Sequence, residues 1–211
     1  MNLGKYAKDF EKAGRGKLLV GLTGQVGCGK SSALAFFREE GAFTVSTDAL
    51  ANKLLTNVKC YSKILEEFKN AVKKDGSLDR YKVSETVFRN KTKRERLESL
   101  LHPLIIKETI PLIKKSQEKI IVIEVPLLFE SGFHKCLDLS VCVYLDRKRQ
   151  LERLSRRGWS AKNAELRIKA QFSGEKKAEL SDLIMDNGGG RNSLKKQVKG
   201  LYGAFERISG N

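Results

Sequence analysis

The sequence predicts an α/β fold, a doubly wound parallel five-stranded sheet interrupted by a block of helices. Three observations predict it. Short apolar runs alternate with longer segments of helical spacing, the pattern of parallel strands joined by crossover helices. The first run passes directly into a glycine-rich loop and then a helix. Between about residues 60 and 117 the strand signals stop and only helical spacing remains.

The chain has 211 residues, 40% hydrophobic and 31% charged, enough for one substantial core. No apolar run approaches the roughly 20 residues of a membrane span. Lys5, Lys8, Asp9, Glu11 and Lys12 interrupt any signal-peptide core. A cytoplasmic chain with no membrane partner, monomeric or a weak homo-oligomer, is expected. The net charge of +16 could attract nucleic acid, a membrane surface or small polyanions. Much of it sits at scattered helical positions such as Lys63, Lys69, Lys73 and Lys74. No aromatic-interleaved or zinc-finger pattern accompanies it, so no nucleic-acid partner is expected. Cys28, Cys60, Cys136 and Cys142 form no C-x-x-C pair, which argues against a zinc site or disulfide framework.

In chain order, residues 1–16 are polar and basic and read as an extension outside the core, with room for a short helix. Residues 17–211 read as a single domain. Leu18–Leu22 is a buried strand, and the helix opened by Ser31 stops at Gly41. Ala42–Ser46 is a second strand, ending at Thr47-Asp48, and Ala49–Thr56 starts a helix with Asp48 at or near its N-cap. Ile64, Leu65 and Phe68 have helical spacing, as do Leu97, Leu100, Leu101 and Leu104, with a turn at Asp75-Gly76. Pro103 should end or kink its helix near His102. Ile120–Ile123, Leu139–Leu145 and Leu183–Met185 are three further strands. A strongly basic helical stretch, 147–171, lies between the last two, and a helix through Leu194, Val198, Leu201 and Phe205 closes the chain.

The loop Gly24-Gln25-Val26-Gly27-Cys28-Gly29-Lys30-Ser31 fits G-x-x-x-x-G-K-S/T. Gly24, Gly27 and Gly29 let the backbone turn tightly, so that N–H groups through Cys28 and Ser32 form an anion-holding nest. The positive end of the following helix faces the same cavity. Lys30 can reach the β- and γ-phosphates of a nucleoside triphosphate, and the Ser31 hydroxyl can ligate Mg²⁺. The reaction must be chosen by other features. Asn52-Lys53-Leu54-Leu55 lacks the acidic residue of a guanine-reading segment. Ile123-Glu124-Val125-Pro126 supplies one acidic residue where motor ATPases carry two. A small-molecule kinase remains, and the arginine-rich 147–171 stretch suits the mobile lid such enzymes close over phosphates.

Five segments then show a resemblance. They are the loop from Gly21 to Ser31, Thr47-Asp48-Ala49-Leu50-Ala51, Leu101-His102-Pro103-Leu104-Ile105, Val125-Pro126-Leu127-Leu128-Phe129-Glu130-Ser131-Gly132, and Arg167-Ile168-Lys169-Ala170-Gln171 leading into Asp186-Asn187-Gly188. In this order, over nearly the whole chain, they resemble the dephospho-coenzyme A kinase family. The resemblance implies ATP-dependent phosphorylation of the ribose 3′-hydroxyl of dephospho-coenzyme A. It implies a kinase-type core, a helical coenzyme A-binding subdomain at 60–117 and a helical lid at 147–171. Another small-molecule kinase, such as a nucleoside monophosphate kinase, shares the loop and lid but does not explain Pro126–Gly132 together with His102-Pro103. A nucleic-acid-binding hydrolase would show steep loss of affinity with salt.

On the residues alone, Asp48 is either a general base on the loop's rim or a helix N-cap; the resemblance favours the base. The family pattern there is Asp-Ala-Asp, whereas this chain has Ser46-Thr47-Asp48, so any contact made by the first carboxylate is missing. Lys30 is expected to neutralise charge on the γ-phosphate. Glu124 is either a water-mediated metal contact or a buried strand-end carboxylate. Arg153 and Arg157, four apart on one helix face, either clamp phosphates or form a solvated basic face. Arg157 is expected on the nucleotide and Arg153 on the acceptor. The resemblance places His102 against the acceptor. Trp159 is a lid anchor or a surface aromatic. Cys28, where the family usually has Ser, is either a simple substitution or a reactive thiol at a helix N-terminus.

Overall fold

The computed structural model describes all residues except 1, 2, 56, 57, 75–77 and 211, and only the backbone of 58–61 and 80. The helices and strands follow as α1 (Ala7–Ala13), β1 (Leu18–Thr23), α2 (Lys30–Glu40), β2 (Phe43–Ser46), α3 (Thr47–Leu54), α4 (Val58–Glu67), α5 (Arg80–Arg89) and α6 (Lys91–Lys115). After them come β3 (Ile120–Glu124), β4 (Leu139–Tyr144), α7 (Arg147–Arg156), α8 (Ala161–Lys169), α9 (Gly174–Leu180), β5 (Leu183–Asp186) and α10 (Gly190–Ile208).

These five strands pair in parallel, in the order β2-β3-β1-β4-β5. The first strand therefore lies at the centre, and every one of its residues is buried. Its apolar composition is what a strand covered on both faces requires. The order reverses at β1, between β3 and β4, and ligands of such sheets bind beyond the carboxyl ends of the strands at that switch. One face packs Leu18, Val20 and Leu22 with Phe36 and Phe37 of α2 and Val198 and Phe205 of α10. The Phe37 and Phe205 rings stack at 6.1 Å.

Two compact units result, one made of 1–47 with 109–211 and the other of 48–108. In the second, Leu54, Ile64, Phe68, Val83, Val87 and Leu101 form a core of their own. Asp79 caps α5 through the backbone N–H groups of Tyr81 and Lys82. The helical unit begins before the expected residue 60 because Leu50 and Leu54 of α3 pack into this core. It stops before 117 because Lys17 Nζ, in the first unit, donates to the carbonyls of Ile113 and Ser116. The expected turn at Asp75-Gly76 lies outside the described residues.

Three local expectations are corrected. Of the end or kink expected near His102, the end does not occur: α6 runs on through Pro103. A proline within a helix costs about 3 kcal/mol, and burial of Leu101 and Ile105 on either side of it offsets that. Asp48 does not end a strand: β2 stops at Ser46 and α3 starts at Thr47. Residues 1–16 are not outside the core. Phe10 is fully buried and meets Phe133 edge-on at 5.1 Å. Leu3 N donates to Ser131 O at 2.8 Å, and Cys136 Sγ donates to Leu3 O at 3.3 Å. Phe10→Ala is accordingly expected to lower stability by about 3–5 kcal/mol. Urea denaturation measures this, and a loss below about 1 kcal/mol, the size of a typical surface change, would refute the docking.

Candidate active site

The loop leaves β1 at the switch point and is shaped by three glycines at positive φ: Gly24 at 141°, Gly27 at 81° and Gly29 at 107°. Gly29 is the left-handed N-cap of α2, a conformation that disfavours any Cβ. The Asn187 amide, at the end of β5, packs directly over Gly29 and would meet such a Cβ. Asn187 Nδ2 donates to Cys28 O at 2.7 Å. The loop is thus held from the β5 side by a side chain the motif does not contain.

Lys30 is 9% exposed, and its Nζ reaches across the loop to Gln25 O at 3.1 Å. Ser31 Oγ donates to Glu124 Oε1 at 3.4 Å. Glu124 is the last residue of β3 and is buried. Thr47 Oγ1 donates to its carbonyl at 2.9 Å. The loop's lysine, its serine and a strand-end carboxylate therefore belong to one unit and converge on the mouth of one loop. Hydroxyl and carboxylate oxygens are the donors that suit Mg²⁺, which takes few protein ligands and completes its shell with phosphate and water. Among the described residues no group of three His, Cys, Asp or Glu forms a protein-only metal site.

The arginine-rich segment folds as α7 and α8, capped by Asp146 and Ser160. It packs on the loop through its own small core of Leu154, Ala164 and Ile168, against which Val26 and Trp159 lie. Arg167 stands over the Trp159 ring at 4.6 Å, so Trp159 is an anchor within this segment. Gln150, 1% exposed, donates to Val26 O at 2.7 Å and Gln25 Oε1 at 3.2 Å. Arg153 donates to Cys28 O at 3.5 Å and Asn187 O at 2.9 Å. These contacts place Arg153 between the phosphate loop and the end of β5. Arg157 ends α7 and is exposed.

Cys28 is corrected. Its thiol is 1% exposed, within the sheet's core and beneath Gly24. A thiol buried there is shielded from solvent, so the reading as a reactive thiol has no support.

In the second unit Asp48 lies in the first turn of α3 and is exposed. His102 is on α6, its Nδ1 buried without a hydrogen-bond partner. Burial pushes its pKa from 6.5 down to about 4, so the ring is neutral near pH 7. A depressed folded-state value means that the unfolded chain binds the extra proton first. The stability that neutral His102 contributes is therefore complete above about pH 6.5 and lost as pH falls towards 4, by up to about 3 kcal/mol. Wild type minus His102→Gln, unfolded in urea from pH 7 to 4, isolates this slope; parallel curves would refute it.

Asn187, Gln25 and Gln150 were not singled out by the sequence as site residues. An Asn-Gly after a strand is a turn signal, and nothing local marks either glutamine.

A parallel sheet in this order, with a glycine loop at its switch point and a basic two-helix segment over it, defines a phosphate-loop kinase. Within that class the chain belongs to the dephospho-CoA kinase family, whose model matches residues 18–193. A dephospho-CoA kinase of Symbiobacterium thermophilum is 35% identical over 88% of this chain and 80% of the relative. One from Aquifex aeolicus is 33% identical over 89% and 97%. The solved Campylobacter jejuni dephospho-CoA kinase is 28% identical and superposes with a TM-score of 0.62, covering 90% of this chain and 97% of its own. TT1252 of Thermus thermophilus reaches 0.78 at 26% identity, covering 89% and 97%. An Acinetobacter baumannii shikimate kinase reaches 0.55 at 12% identity, covering 97% and 99%, and shares the fold.

Proposed function

We propose that this chain transfers the γ-phosphoryl group of ATP to the ribose 3′-hydroxyl of dephospho-coenzyme A, giving coenzyme A, the last step of its synthesis. The observation that carries the reading is the convergence of Lys30, Ser31 and Glu124 on one loop mouth in a chain of this family. Phosphoryl transfer is chiefly positioning and charge stabilisation. Backbone N–H groups from Gly27 to Ser32 cradle the β- and γ-phosphates, and Lys30 Nζ exchanges Gln25 O for a γ-phosphate oxygen. Ser31, with the Glu124 carboxylate beside it, would hold Mg²⁺, which would supply charge neutralisation at the phosphates. Asp48 takes the proton of the acceptor hydroxyl.

Arg157 clamps the nucleotide when the 147–171 segment closes as a lid. The 48–108 unit carries the acceptor site, with neutral His102 contributing a hydrogen bond to dephospho-coenzyme A. The enzyme acts in the cytoplasm, as a monomer or weak homo-oligomer. A coupled ADP-release assay with a panel of acceptors tests the reading. Turnover with dephospho-coenzyme A, and none with nucleoside monophosphates or with ATP alone, is expected; the reverse preference overturns it.

A further inference from the structure

Lys177, on α9, has a side chain with no exposure at all, and its Nζ pairs with Glu130 Oε1 at 2.8 Å and donates to Pro126 O. Burial works against its charge and lowers its pKa, while Glu130 opposes that effect. A buried ion pair of this kind is seldom worth more than two apolar side chains of the same size. Its geometry, not its stability, is the informative part.

The same Glu130 Oε1 accepts the backbone N–H of Phe172 at 2.8 Å. The Phe172 carbonyl accepts Gln25 Nε2, from the phosphate loop, at 2.9 Å. Phe172 sits between α8 and α9, where the arginine-rich segment rejoins the sheet, and it is 41% exposed. The residue is therefore held at both backbone ends by side chains from two loops rather than by burial of its ring. Two acceptors at this junction, Glu130 Oε2 and Gln171 Oε1, are buried with no hydrogen-bond partner, so part of its bonding capacity is unused in this arrangement. A third tie, from Thr23 Oγ1 to Pro126 O at 3.4 Å, links the end of β1 to the carbonyl that Lys177 also holds.

We propose that Glu130, aimed by Lys177, is a positioning residue that fixes Phe172 as the pivot on which residues 147–171 close over the phosphate loop. Glu130 acts through the Phe172 backbone, and through Gln25 the pivot is tied to the phosphate loop. The inference rests on the reading of 147–171 as a lid.

Two double variants separate this role from a structural one. Glu130→Gln with Lys177→Met removes both charges but keeps an acceptor for Phe172 N. Glu130→Leu with Lys177→Met removes the acceptor as well. Misplacing reacting groups by about 1 Å can cost on the order of 10²-fold in rate. The leucine pair is therefore expected to lose roughly 10- to 100-fold in kcat, with KM for ATP within about threefold of wild type. The glutamine pair should stay within about threefold in kcat. Trp159, the chain's one tryptophan, reports the segment directly: its fluorescence response to a non-hydrolysable ATP analogue should persist in the glutamine pair and fade in the leucine pair.

Equal kcat in the two pairs at matched Tm, or wild-type kcat in the leucine pair, overturns the proposal. If wild-type Trp159 does not respond to the analogue, the lid reading falls and takes the pivot with it. If it responds while the pairs behave alike, the pivot alone falls. Should the Lys177→Met side chain fail to pack, Glu130→Gln and Glu130→Leu with Lys177 retained give the same comparison at a temperature where both are native.

Discussion

Asp48→Asn is expected to lower turnover with dephospho-coenzyme A by roughly 10²- to 10⁴-fold while leaving ATP affinity little changed. Asparagine keeps the size and shape of the side chain and can still accept hydrogen bonds, but it cannot take a proton near pH 7. Asp48 is exposed in the first turn of α3. The helix-dipole part of losing that charge is about 0.3–1 kcal/mol, and Tm reads any further cost. A fall of this size in rate with an unchanged Tm would therefore belong to the chemistry. ADP release measures the rate and nucleotide titration the affinity. Near-normal turnover would return Asp48 to a helix-terminal carboxylate and leave the general base unassigned.

The sheet was legible because a strand buried on both faces must be apolar along its whole length. Leu18–Leu22, Ile120–Ile123 and Leu139–Leu145 declare themselves, and the observed β1, β3 and β4 match them within a residue. Elements that depend on distant partners were not legible. The polar 1–16 segment carries a single large aromatic, Phe10, besides Tyr6, and only the Phe133 ring 123 positions away explains why the segment docks. Pro103 has a strong local meaning that apolar packing on both sides overrides. The boundary of the helical unit turns on whether Leu54 and Ile113 face one core or another, which periodicity alone does not decide.

The site divides in the same way. The loop could be found because its function resides in backbone geometry that glycine spacing encodes. The groups that hold the loop in place are separated from it along the chain: Gln150 lies 124 residues from Val26 and Asn187 lies 159 from Cys28. Lys177 is one of 41 Lys and Arg residues, and its burial carries no sequence mark. For Cys28 the converse holds: its place beside a helix N-terminus is legible, but the direction of its side chain, into the sheet core beneath Gly24, decides its accessibility.

Lys30→Met is expected to lower kcat by roughly 10²- to 10³-fold, the usual loss when one preorganised donor to a developing charge is removed. Methionine retains most of the apolar stem in a position that is 9% exposed. The Gln25 carbonyl that Lys30 now bonds also accepts Cys28 N at 3.3 Å, so it is not left without a donor and the loop should keep its shape. Lys30→Arg should recover little, because the guanidinium is a wider, planar fork and not a compact point charge. The informative pattern is a large drop in kcat for both variants with Tm within a few degrees of wild type. An arginine variant with near-wild-type kcat would show that positive charge alone suffices, and that the fit of the ammonium against the Gln25 carbonyl does not matter to the reaction.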